Sequence, residues 1–209
     1  SFSRLQHDKE ALTRAIEKTL FLISSFMFPT VVIIVLFSPH LIRYIPRYEK
    51  WEPAILSLTF FSLSTLLSSI STPLTNFLNA IGKVKITLRF MVLWTVLTWT
   101  IAPLFIFLYG YNGVALASFL ISFSSIAVFF VARGVINFSI IKPIFPSFLA
   151  GIAMVFFVLL TQFIISNFLL LAIEIFLSGV FYLCVLYLIA RNEIHRTLLF
   201  IRSSIRKEK

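Results

Sequence analysis

The chain has 209 residues, 59% of them hydrophobic and only 12% charged. A water-soluble domain of this size cannot keep so much apolar surface off its exterior, so that class is excluded and the bilayer becomes the solvent to reason from. The net charge of +10 then reports membrane topology before it reports any nucleic-acid partner.

Six apolar blocks, near residues 20–42, 54–79, 88–108, 112–132, 145–165 and 168–190, are each long enough to cross a hydrocarbon core of roughly 30 Å as a helix. Period-two alternation is scarce and the linkers are short, so helices are expected rather than a barrel. The fold class is therefore all-α: a polytopic membrane protein of about six transmembrane helices. Residues 1–19 place Leu5, Leu12, Ala15 and Ile16 on one helical stripe among mixed charges, the pattern of an amphipathic cytoplasmic connector that either lies in the interface or is simply solvated. These charges, the long apolar run and the lack of a small-residue cleavage site argue against a cleaved signal peptide. In the first span Pro29 is placed to kink the helix and Pro39 to end it.

The second span is polar along one side. Ser62, Thr65, Ser69, Thr72, Asn76 and Asn79 recur at spacings of three and four, which aligns them on one stripe of an α-helix, and Ser64, Ser68, Ser71 and Thr75 widen it. Opposite lies an apolar half from Phe60 to Ile81. Two readings of the stripe stand side by side: close packing of helices through small hydroxyl residues, or the wall of a water-filled cavity, where the amides of Asn76 and Asn79 escape the cost of meeting hydrocarbon unpaired.

Lys83, Lys85 and Arg89 follow in a short connector, either as positive-inside anchors or as a group that attracts phosphates. The third span carries Trp94 and Trp99, which pack in the bundle or line a path where a sugar stacks on their rings. The uncharged YGYNG at 109–113 reads as a tight outer turn. Tyr44, Tyr48 and Trp51 are expected as outer interfacial anchors, Tyr182 and Tyr187 as inner ones. Residues 133–144 form a cytoplasmic connector between a four-helix part at 20–132 and a final helix pair at 145–190, with a basic cytoplasmic tail at 191–209. Glu174 is the one acidic residue inside any block. It is a candidate for ion or proton coupling, or it snorkels to the nearby outer surface.

Fifteen of the 18 Lys and Arg residues fall before the first block, in the second and fourth connectors, or after residue 190. By the positive-inside rule both ends are cytoplasmic in a multi-pass cell membrane protein. Cys184 is alone and His7, His40 and His195 are scattered, so no metal centre or other cofactor is expected.

The stretches SRLQHDKEALTRAIEKTLFLISSFMFP, PLTNFLNAIGKVKI (73–86) and WTVLTWTIAPLFIFLYGYNGVALAS (94–118), taken in succession, resemble the multidrug, oligosaccharidyl-lipid and polysaccharide (MOP) flippase superfamily. Within it they are most similar to the polysaccharide and O-antigen flippase branch. The resemblance covers nearly the whole chain and implies the C-terminal part of a fourteen-helix transporter, beginning before its ninth helix; a first residue other than Met agrees with a fragment. It further implies alternating access for a lipid-linked oligosaccharide of the polyprenyl or dolichyl phosphate type, with membrane lipids and an N-terminal lobe of the same protein as partners. A cation-coupled multidrug antiporter of the same superfamily is the alternative. An intramembrane glycosyl- or acyltransferase is a further one, but the sequence offers no grouped His or carboxylate constellation for such chemistry.

Overall fold

The computed structural model describes residues 9–206, with side chains described for residues 10–191 and 193. It is helical, with no strand among the described residues. Six segments are long and apolar enough to cross a membrane, at Glu10–Tyr44, Glu49–Ala80, Val84–Tyr109, Tyr111–Arg133, Ile141–Ile164 and Phe168–Arg191.

Helix α1 (Lys9–Tyr44) runs without interruption from the predicted connector into the first span. Leu12, Ala15 and Ile16 do form a stripe, but they are buried. Leu12, Ile16 and Leu20 join Ile70, Leu74, Phe77 and Leu78 in one core cluster, so this stripe is seated against protein and not against an interface. Leu5 lies outside the described residues.

The helix also continues through Pro39, contrary to expectation. A membrane helix tolerates a lost backbone hydrogen bond when neighbours cover it. The stop comes at Pro46, which disfavours helical backbone at Ile45, and Arg47 then turns with φ +69.

A 3₁₀ segment at Glu49–Ala54 leads into α2 (Ile55–Ala80). The apolar half of α2 packs on α1 and on α5 (Ile126–Arg133), where Val128 and Ala132 complete the first core cluster. Helix α3 (Val84–Tyr109) buries only Thr87 and Phe90 and touches α2 and α4 (Tyr111–Ser122). The α3–α4 turn is shorter than the five residues expected. Gly110, at φ +60, is the only residue between the helices.

Three residues on, Gly113 lies so close to α3 that a Cβ there would stand 1.9 Å from the Phe105 carbonyl oxygen. Only glycine fits this approach.

Helices α6 (Ile141–Thr161) and α7 (Phe168–Arg206) both pack on α1 and on each other. Their core holds Ala150, Met154, Val158, Leu171, Tyr182 and Leu186 with Phe21 and Phe37 of α1, and Phe28 packs against both clusters. Tyr182 is thus a core residue, 1% exposed, and not the interfacial anchor its ring suggested. Tyr44 is engaged as well, donating to the Ile165 carbonyl at 2.7 Å, whereas Tyr48 and Trp51 remain exposed. Hydroxyls reinforce the α1–α6 seam: Ser147 Oγ lies 3.2 Å from Ser24 Oγ and 3.1 Å from Ser25 Oγ. Helix α7 departs from helical backbone at Ala190, where the span gives way to the basic tail.

Candidate functional site

The polar side of α2 splits in two once its neighbours are in place. One part faces α3 and α4 across a cleft of about 340 Å³. From α2 the cleft takes Ser64, Ser68, Ser71, Thr72 and Thr75; from α3, Trp94 and Thr98; and from the α4 side, Ser118, Ser122 and Ser125 with Ile121. Of the six residues singled out on the sequence stripe, only Thr72 lines it.

Ser62 is buried and donates to Leu58 O at 2.7 Å. Thr65 is exposed and donates to Phe61 O at 2.8 Å, while Ser69 donates to Leu66 O at 2.9 Å. Asn76 is exposed, and Asn79 is half-buried with its Oδ1 enclosed and unpaired. The residues read as merely widening the stripe are the ones that line the cleft.

A signal for the α4 wall was present in the run SFSS (122–125) and was not used. There the span is interrupted by a 3₁₀ turn, Phe123–Ser125, between α4 and α5. Irregular backbone at membrane depth persists where it is buried in protein or lines a cavity, and Ser122 and Ser125 beside this break are cleft residues.

Trp94 and Trp99 part company. Trp94 stacks on Phe90, with ring centroids 5.8 Å apart, and its indole N–H donates to Ser124 Oγ at 2.9 Å. Trp99 is 77% exposed and lines neither cleft nor core. Five residues separate them, about 500° around a helix, so they point to different sides of α3.

The cleft hydroxyls are arranged in a uniform way. Ser64 donates across to Ser118 O at 3.1 Å. Ser71, Thr72 and Thr75 donate to carbonyls of their own helix at 2.8–3.0 Å. On the far wall Ser118 and Ser122 donate to Val114 O and Phe119 O at 2.9 and 2.6 Å, and Ser125 donates to Ser122 O. Such back-bonding satisfies a hydroxyl in an apolar setting.

No charged residue is among those lining the cleft. Lys83, Lys85 and Arg89 are exposed at the α2–α3 turn, outside it.

Glu174 lies elsewhere. It is 6% exposed, between α6 and α7, and its Oε1 shares the single hydrogen of the Thr161 hydroxyl with Phe157 O, which lies 2.8 Å from Thr161 Oγ1. This buried carboxyl does not snorkel to the surface. Among the described residues no group of three or more His, Cys, Asp or Glu is placed to hold a metal ion.

Against known proteins, the MatE family model matches residues 6–104. No curated protein matches the chain. Among solved structures it is similar to "Lipid II flippase MurJ, inward closed conformation", at a TM-score of 0.78 and 20% identity over 92% of this chain. The chain spans 42% of that flippase's length. The MatE family model thus matches the first part of the chain, residues 6–104, and along nearly its whole length the chain has a fold similar to part of that flippase.

Proposed function

We propose that this chain is the C-terminal lobe of an alternating-access transporter that flips lipid-linked oligosaccharide or polysaccharide precursors, with both ends cytoplasmic in a plasma membrane. The observation that carries this reading is the polar side of α2. It opens into the cleft shared with α3 and α4 and also leaves Thr65, Thr72 and Asn76 exposed along a membrane span. A lipid-facing helix has no use for such a surface, whereas a hydroxylated head group carried past it does.

The solved relative is named for a lipid substrate, which agrees with cargo that keeps its tail in the bilayer. In this reading residues 20–132 form the working part and 145–190 an added pair, and an N-terminal lobe supplies the facing wall. Lys83, Lys85 and Arg89, exposed at one end of α2, would draw the phosphates toward the entrance. Cation-coupled drug efflux finds less support, because Glu174 is paired with Thr161 away from the cleft.

The test is a flipping assay on the full-length protein in proteoliposomes, with a fluorescent lipid-linked oligosaccharide and a membrane-impermeant quencher. Protein-dependent exposure of the label is expected, reduced by Asn76→Leu with Asn79→Leu while insertion stays normal. Absence of flipping together with cation-coupled efflux of small molecules would move the assignment to the antiporter branch. Unchanged flipping in the double variant would remove both amides from the route.

A further inference from the structure

We infer that the α2–α3–α4 cleft takes the uncharged, hydroxyl-bearing part of a ligand and rejects phosphate. That the ligand is the sugar of a transported lipid rests on the proposed function; the chemistry of the cleft does not.

A serine or threonine hydroxyl has one hydrogen and two lone pairs. Seven of the nine hydroxyl residues lining the cleft spend that hydrogen on a main-chain carbonyl, Ser64 and Thr75 among them. What they can offer a ligand is oxygen lone pairs. Ser68 and Thr98 are the two that do not.

The remaining strong donor in the wall, the Trp94 indole N–H, is held by Ser124 at 2.9 Å. An anion in this cleft would face acceptors with few donors and, among the lining residues, no Lys or Arg. Phosphate recognition needs the opposite, namely converging N–H groups or cations. A sugar ring brings its own donors: each of its O–H groups, and any acetamido N–H, can meet one of these oxygens. Trp94 adds an aromatic surface of the kind on which sugar C–H faces rest.

A volume of about 340 Å³ falls in the lower part of the roughly 300–1,000 Å³ range of small-ligand pockets. That suits one or two sugar units rather than a long glycan. An amine offers donors too, so an ammonium head group of a membrane lipid is the competing source of the same chemistry.

Trp94 provides the readout, since Trp51 and Trp99 are the only other tryptophans and neither lines the cleft. The full-length protein bearing Trp51→Phe and Trp99→Phe, with any tryptophan outside this chain likewise replaced, is placed in sugar-free nanodiscs. It is titrated separately with a neutral N-acetylated disaccharide, inorganic pyrophosphate and ethanolamine.

The disaccharide is expected to shift Trp94 emission saturably, and Thr75→Val with Ser122→Ala is expected to weaken that binding at least tenfold without changing the thermal midpoint. Pyrophosphate and ethanolamine should produce no saturable shift. Saturable binding of pyrophosphate would overturn the inference, as would preference for ethanolamine, a disaccharide signal that survives the double substitution, or no response to any probe. If the disaccharide binds as expected while the protein flips no lipid, the flippase reading fails and the cleft chemistry stands.

Discussion

Gly113→Ala tests the close packing of α4 against α3. A Cβ at this position would lie 1.9 Å from Phe105 O, 2.3 Å from Phe105 C and 2.8 Å from Ile106 N. All three are backbone atoms, so no side chain can swing aside. Regaining a contact of 3.4 Å requires the start of α4 to back away from α3 by about 1.5 Å.

Overpacking of this kind costs about 1–3 kcal/mol, and the lack of a yielding side chain places Gly113→Ala at the upper end. For a chain of this size each kcal/mol corresponds to about 2–4 °C, so a fall of roughly 6–12 °C in the unfolding midpoint is expected.

Gly179→Ala is the matched control, because nothing lies within 4 Å of the added carbon and the helix interior favours alanine. Both variants are melted in nanodiscs with tryptophan emission as the probe. A midpoint for Gly113→Ala equal to that of Gly179→Ala would refute the reasoning that backbone contact at this crossing holds α3 to α4.

Two further outcomes follow from the same structure. Thr161→Val strips the buried Glu174 carboxyl of the hydroxyl that donates to it; a loss of about 1–3 kcal/mol is expected for an unpaired buried polar group. Adding Glu174→Leu should recover part of that loss, and chemical denaturation of the single and double variants in mixed micelles measures both. For topology, Cys184 is replaced by Ala and single cysteines are placed at Lys83 or Tyr111, exposed residues at opposite ends of α3. A membrane-impermeant maleimide applied to intact cells should label the Tyr111 site and spare the Lys83 site; the reverse pattern would overturn the proposed orientation.

How far the sequence reached depends on which physical force was being read. Six apolar runs of membrane length determine six helices, because a backbone in hydrocarbon must satisfy its own hydrogen bonds and has almost no other solution. The apolar stripe of α2 and the stripe at Leu12, Ala15 and Ile16 were legible for the same reason, as periodicity in a single helix.

Tertiary structure decided what those faces meet. Near Leu12 the partner is protein, since Leu74, Phe77 and Leu78 lie opposite. The polar side of α2 is wider than one stripe, and α3 and α4 alone settle that Ser64, Ser68, Ser71 and Thr75 line a cleft while Ser62 and Asn79 do not. Trp94 and Trp99 look equivalent in sequence, but helix rotation sends one into the cleft wall and leaves the other outside. Glu174 reads as a charge near a helix end until Thr161, thirteen residues earlier on a neighbouring helix, is found beside it. Local pattern fixes what a helix can present; only the neighbouring helices decide which of its faces become core, cleft or membrane surface.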